Sequence, residues 1–471
     1  MSNPPTLLWL RRDLRLTDHP ALVAACEDGG PVIPVFILDP ETEALGAAPR
    51  WRLEKSLDAL AEDLEDAGSR LIKRRGEALS ELRKLIEETG AKTVRWTRLY
   101  DPVSKERDSA VKSALKEDGI EAVSHPGHVL FEPWTVETKT GGFYKVYTPY
   151  WKAVAHAELD APLGAPGKIP APESWPDSEA DLKMGVDMHR GGAVVARFAR
   201  VGERAARDRL DAFLEEAVAG YGTQRDRTDR DGTSGLSENF TYGEISARTV
   251  WHAGRRAMAE GASGAETFVK ELVWRDFAWH LIHHTPHLTQ KSWRAEWESF
   301  PWEEDGDAAE RWKRGITGEP MVDAGMRQMY VTGTMHNRVR MLVASYLTKH
   351  LMTHWKVGMD WFADCLIDWD PASNAMGWQW AAGSGPDAAP YFRVFNPATQ
   401  AEKFDPKGVY RNRFIAGHGG GSAHEDALAY FDAIPRSWDL SADDAYPERM
   451  IDLKTGRERA LAAYAQHRDA A

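Results

Sequence analysis

The chain has 471 residues, 42% of them hydrophobic and 28% charged, with a net charge of −13. That length calls for two or three domains, and no apolar run reaches the roughly 18 residues of a membrane span. Two cysteines, Cys26 and Cys365, are too few for a disulfide framework or a cysteine zinc site. "MSNPPTLLWLRRDLRL" places its apolar run before its charges, the reverse of a signal peptide. The expected protein is a cytoplasmic monomer with no membrane partner.

The first 125 residues alternate. "TLLWL" (6–10), "PVIPVFIL" (31–38), "RLIKR" (70–74) and "KTVRWTRL" (92–99) predict buried strands. Between them "RWRLEKSLDALAEDLEDAG" and "ALSELRKLIEETG" predict amphipathic helices, the first with Leu53, Leu57, Leu60 and Leu64 on one face and Gly68 as its stop. Strand, helix, strand at this spacing implies a parallel sheet covered on both faces. No GxGxxG or GxxxxGK[ST] follows the first strand, so the usual phosphate cradle is absent there. The Pro-rich "APLGAPGKIPAPESWPDSEADL" reads as interdomain linker. From about residue 203 helical periodicity dominates. In "RVRMLVASYLTKHLM", Val339, Leu342, Val343, Tyr346, Leu347 and Leu351 share a face.

Charge and tryptophan are unevenly spread. Residues 326–356 hold Arg327, Arg338, Arg340, Lys349 and Lys356 without an acid, a balance of +5. Residues 391–414 hold five basic residues and two acids, a balance of +3. Such patches suit phosphates, against the acidic whole. Of the 19 tryptophans, 13 lie between 251 and 438, three of them in "WDPASNAMGWQW" (369–380). Indoles stack on flat ligands and bases and are readily oxidised, although most tryptophans simply fill cores.

These segments carry a close resemblance. "WLRRDLRLTDHPAL", "YGTQRD", "TSGLS", "ELVWRDF", "TGEPMVDAGMRQM", "MHNRVRMLVASYLTKHLMTHWK" and "DWDPASNAMGWQWAAGSGPDAAPYFRVFNPATQAEKFDP" are similar, in order and over nearly the whole chain, to the DNA photolyase/cryptochrome family. The resemblance implies a Rossmann-like, doubly wound α/β antenna domain (1–130), a linker (131–200), and an all-α domain (201–471) that binds FAD and damaged DNA. It places Tyr221, Arg225, Thr233, Ser234, Gly235, Leu236, Ser237, Arg275, Arg340, Asp368, Asp370 and Asn374 around FAD. Arg340 is implied to pair with Asp368. Asn374 is implied to face flavin N5, where an amide that cannot ionise favours the fully reduced flavin. Trp378, Trp355 and Trp302 match the family's electron relay. Glu271, Trp274, Asn337, Arg338, Met341 and Trp380 match its lesion pocket, with Arg393 among the phosphate contacts. The implied activity is light-driven repair of cyclobutane pyrimidine dimers, flipped out of the duplex.

Two positions depart from some relatives, Thr334 and Phe268. Lys291 fits a folate contact of one subgroup, but "LYDPVSKERD" lacks that subgroup's Asn-Glu pair. The antenna is therefore open between a reduced folate, a deazaflavin and an empty site. Three other readings compete. A zinc hydrolase on His280, His283, His284 and His287 lacks HExxH. A cryptochrome would bind FAD without repair, and Asn374 speaks against it. A (6–4) photolyase would carry histidine at the position of Asn337.

Overall fold

The computed structural model describes residues 3–387 and 393–470. Five parallel strands, β1 (Thr6–Leu10), β2 (Val32–Leu38), β3 (Ile72–Arg75), β4 (Thr93–Thr97) and β5 (Glu121–His125), form a sheet in the order β3-β2-β1-β4-β5. Every residue of β1 and β2 is buried. The reason is double cover. Leu8, Leu10, Phe36 and Leu38 point to the helices Pro20–Glu27 and Ala47–Asp66, where the four predicted leucines lie. Leu7, Trp9, Ile33, Val35 and Ile37 point the other way, to Ala78–Thr89 and Pro102–Glu117. Burial on both faces explains why these strands read as continuous apolar runs. The fold is the doubly wound α/β arrangement that was expected. β5 and two helices (Pro20–Glu27 and Pro102–Glu117) are not signalled by hydrophobic periodicity.

The rest of the chain is largely helical around one large core. The predicted face of residues 339–351 is buried throughout. Its helix is α-helical only from Asn337 to Ser345 and then widens into a π-turn, Tyr346–His350. Segment 131–200 carries a helix of its own, Tyr147–Val154, whose Tyr150 is fully buried in the helical core. Among the described residues no helix is long and apolar enough to cross a membrane.

Buried charge ties the α/β layer to the helices. Arg52, on Ala47–Asp66, lies between Glu238 (3.1 Å) and Glu244 (2.8 Å), all three inaccessible to solvent. A lone buried guanidinium would cost several kcal/mol, so two carboxylates are the condition for placing it there. Asp18 binds Ser246 at 2.5 Å and Arg248, and Asp276 accepts the amides of Leu130 (2.9 Å) and Phe131 (2.9 Å). Burial pushes the Asp276 carboxyl up to about 6.

Candidate functional site: a cavity in the helical domain

A cavity of about 520 Å³ opens within the helical domain. One wall is the helix Pro371–Ala382, started by Asp370 as N-cap (Oδ1 accepts from Ser373 N at 2.7 Å) with Pro371 in its first turn. From it Asp370, Asn374 and Trp378 line the cavity. Asn374 Nδ2 donates to the Met359 carbonyl at 3.0 Å, which leaves the amide oxygen as the end available to a ligand. Arg340, from Asn337–Ser345, pairs with Asp368 Oδ2 at 2.7 Å, as the resemblance implied. Asp368 Oδ1 and Asp370 Oδ2 are buried and lack a hydrogen-bond partner among the described residues. Two orphaned carboxylate oxygens facing one cavity call for donors from a bound molecule.

The opposite end is built from residues 233–237. Gly235 takes φ +63°, a left-handed turn open to glycine, and Ser237 begins the short helix Ser237–Tyr242. No side chain caps that helix, so the serine is not a cap. Thr233 and Ser237 are exposed beside it. Glu238 on the same helix is the partner of Arg52, so the buried ion cluster also positions this end of the cavity. Arg209 donates to the Gly235 carbonyl at 2.6 Å and lines the wall together with Arg230 and Arg413. Hydroxyls and backbone amides suit this end to an anion, with Arg209 and Arg230 beside them, paired with Glu238 and Asp229.

Trp378 is 2% exposed, wedged against Phe362 (centroids 5.0 Å) and Trp312 (6.0 Å). Its ring lies over Gly358, where a Cβ would stand 2.0 Å from Trp378 Cη2. Trp355, three residues from Gly358 on the same helix, is fully buried. From Trp355 ring contacts run through His354 (5.4 Å) to half-buried Trp302 (5.7 Å).

Known proteins match this arrangement. The DNA photolyase family matches residues 6–172, and the FAD binding domain of DNA photolyase matches residues 268–466. The chain belongs to the DNA photolyase family. It is 44% identical to a deoxyribodipyrimidine photo-lyase of Agrobacterium fabrum over 99% of this chain and 98% of that one. It is 33% identical to cryptochrome-2 of Arabidopsis thaliana, over 99% of this chain and 79% of the other. The crystal structure of a bacterial class III photolyase from Agrobacterium tumefaciens superposes with a TM-score of 0.91 at 43% identity, covering 100% of this chain and 98% of that one.

FAD is the cofactor of this domain, and the cavity fits it. The orphaned oxygens of Asp368 and Asp370 would suit donors such as a flavin's imide and ribityl hydroxyls, and the end with Thr233, Ser234 and Ser237 would suit a diphosphate. Of the residues expected around FAD, Tyr221, the 233–237 segment, Arg275, Arg340, Asp368, Asp370 and Asn374 line the cavity. Arg225 stands just behind the wall, paired with Glu271. Arg275 is half-buried, donates to the His128 carbonyl at 2.9 Å, and has its pKa lowered by desolvation.

The lesion set divides. Glu271, Asn337 and Met341 line the cavity, and so do the two departures, Thr334 and Phe268. Burial raises the Glu271 pKa against the pull of Arg225. Trp274 stacks on Tyr147 (3.6 Å, 10°), and Trp380 lies beside Phe395 (6.4 Å). Arg338 is held by Asp226 at 2.7 Å over the Phe404 ring. Arg393 is exposed. Arg209, Arg230 and Arg413 were not foreseen, because each is a lone arginine in a segment without a motif.

One expectation changes. The +5 segment is not one basic face: Arg327 and Lys349 are buried, Arg327 bonding the Gly315 carbonyl at 3.0 Å and Lys349 the Ala382 carbonyl at 2.5 Å. Burial pushes the Lys349 ammonium well below its usual range. The histidine cluster serves the fold: His280 and His284 both face the Pro133 carbonyl, at 3.2 and 3.0 Å. Among the described residues no three ligating side chains converge on a point.

Proposed function

We propose that the protein repairs cyclobutane pyrimidine dimers in DNA, using light absorbed by its reduced FAD, as a carbon–carbon lyase. The observation that carries this reading is a shared cavity. The residues that suit FAD and the residues that suit a lesion, Glu271, Asn337 and Met341, line the same space. When bound, FAD supplies the photon capture and the electron that opens the cyclobutane ring.

The chain supplies positioning and electrostatics. Asp368, Asp370 and Arg340 orient the cofactor in a buried site. Asn374 presents an amide oxygen that cannot take up or lose a proton in the working range, and this supports repair over signalling. Glu271 has a raised pKa, so its carboxyl is more readily protonated and able to donate to a pyrimidine carbonyl. Trp380, and Trp274 by the face turned away from Tyr147, suit stacking on unpaired bases, each contact worth about 1–3 kcal/mol. Asn337 stands where a (6–4) enzyme would need a second histidine, and this favours the cyclobutane lesion.

The test is illumination of defined oligonucleotides carrying one cyclobutane dimer or one (6–4) photoproduct, read by chromatography. Repair of the cyclobutane dimer alone is expected. Repair of the (6–4) lesion alone would reverse the assignment, and repair of neither would make the protein a light receptor of the cryptochrome kind.

A further inference from the structure

Ring contacts do not stop at Trp302. Trp302 stacks on Trp297 with centroids 6.2 Å apart and planes inclined by 27°. Trp297, 4% exposed, stacks in turn on Tyr464 at 5.9 Å and 19°. Tyr464 lies on the last helix, Leu453–Ala470, and is half-buried. Aromatic pairs adopt edge-to-face contacts as readily as stacked ones. Here both successive steps are stacked, the geometry that overlaps π systems most, and they lead from a relay indole to a phenol near solvent.

We propose that Tyr464 is the terminal electron donor of the light-driven relay, reached from Trp302 through Trp297. This rests on the relay reading of Trp378, Trp355 and Trp302. One electron leaves Trp378 for the oxidant, a light-excited oxidised flavin. The vacancy passes outward as an indole radical cation, through Trp355 and Trp302 to Trp297. Tyr464 then gives one electron to Trp297 and its O–H proton to bulk water. All four indoles return to their closed-shell state, and a neutral phenoxyl radical remains at the surface. The balance is one electron inward, one proton outward and one oxidised side chain.

Electrostatics gives the last step its direction. Trp297 packs on Phe300, Met352 and Ala460, with Lys349 Nζ 5.9 Å from its ring centroid and the His467 ring at 5.6 Å, surroundings without a carboxylate to offset a radical cation among the contacts seen. A neutral phenoxyl carries no such penalty. Charge recombination there must also wait for a proton to return, so the separation lasts longer than one ending on an indole.

The experiment is pulsed illumination of the FAD-loaded, oxidised protein, followed by transient absorption and electron paramagnetic resonance. Wild type is expected to show a phenoxyl radical. Tyr464→Phe should lose it and leave an indole radical that recombines faster, with FAD content and melting behaviour kept. Trp297→Phe, which preserves an apolar ring, should lose the phenoxyl too. A phenoxyl signal that survives Tyr464→Phe, or is absent from wild type, overturns the proposal. Trp378→Phe separates the two levels. Should flavin photoreduction survive Trp378→Phe, the relay reading itself is wrong. Should photoreduction need Trp378 while no phenoxyl forms, only the role of Tyr464 falls.

Discussion

Gly358→Ala tests how tightly the Trp378 indole is held. A Cβ at Gly358 would stand 2.0 Å from Trp378 Cη2, 2.4 Å from Cζ3 and 2.6 Å from Cζ2. Ordinary carbon contacts lie near about 3.5–4.0 Å, so the indole must retreat by roughly 1.5 Å or more. It has little room, because Phe362 and Trp312 close its other sides at 5.0 and 6.0 Å. Overpacking of this kind costs about 1–3 kcal/mol, and a rigid indole at such range belongs at the upper end. Alanine recovers up to about 1 kcal/mol in helix propensity, which leaves a net loss near 2 kcal/mol. The assay is denaturant unfolding at saturating FAD, in the wild-type and Trp378→Leu backgrounds. With the indole gone the clash goes too, so Gly358→Ala should be neutral or slightly stabilising there. Photoreduction should slow in the single variant. Equal cost in both backgrounds, or none in either, would refute the packing argument.

Glu271→Gln should lower repair per photon more than it lowers affinity for a dimer-containing oligonucleotide; equal losses would make Glu271 a binding contact only. Reversing charge at exposed Arg393 or Lys403 should weaken damaged and undamaged DNA alike and reduce the salt slope by about one each, measured by anisotropy across a salt series. Lys349→Glu should instead destabilise the fold, because Lys349 is buried. Stability should also depend on Glu319. Burial raises its carboxyl to about 7, against the pull of Arg449 at 3.2 Å. The folded state therefore binds the extra proton, and this contribution is full below about pH 4.5 and lost as pH rises toward about 7. Glu319→Gln should flatten that slope in pH-dependent melting curves; an unchanged slope would assign it to other groups.

The parts legible in sequence are those written locally. β1 and β2 are continuous apolar runs because both faces are covered, and Leu53 to Leu64 repeat because one helix face is buried. The edge strand β5 has an exposed Glu121 and only one fully buried residue, so it leaves little trace. The buried set Arg52, Glu238 and Glu244 has no local signature at all, since its members lie 186 and 192 residues apart. The same holds for Arg209 at the anion-binding end. The +5 count misled for a related reason. Sequence records charge, but Arg327 and Lys349 spend theirs on carbonyls inside the core.

That distinction bears on how an acidic protein can hold DNA. Three arginines in and beside the cavity wall are already engaged: Arg225 with Glu271, Arg338 with Asp226, Arg340 with Asp368. A phosphate approaching any of them must displace a carboxylate, and the exchange of one anion for another gains little. Lys403 and Lys407 are exposed and lie in the segment whose charge is +3. Counterion release should therefore come mainly from residues 403–407. The cavity would then contribute through stacking and neutral hydrogen bonds, which vary little with salt. On this argument the affinity difference between damaged and undamaged DNA stays nearly constant across a salt titration while both affinities fall together. A difference that shrinks with salt would mean that the paired arginines open to phosphate only when the lesion enters.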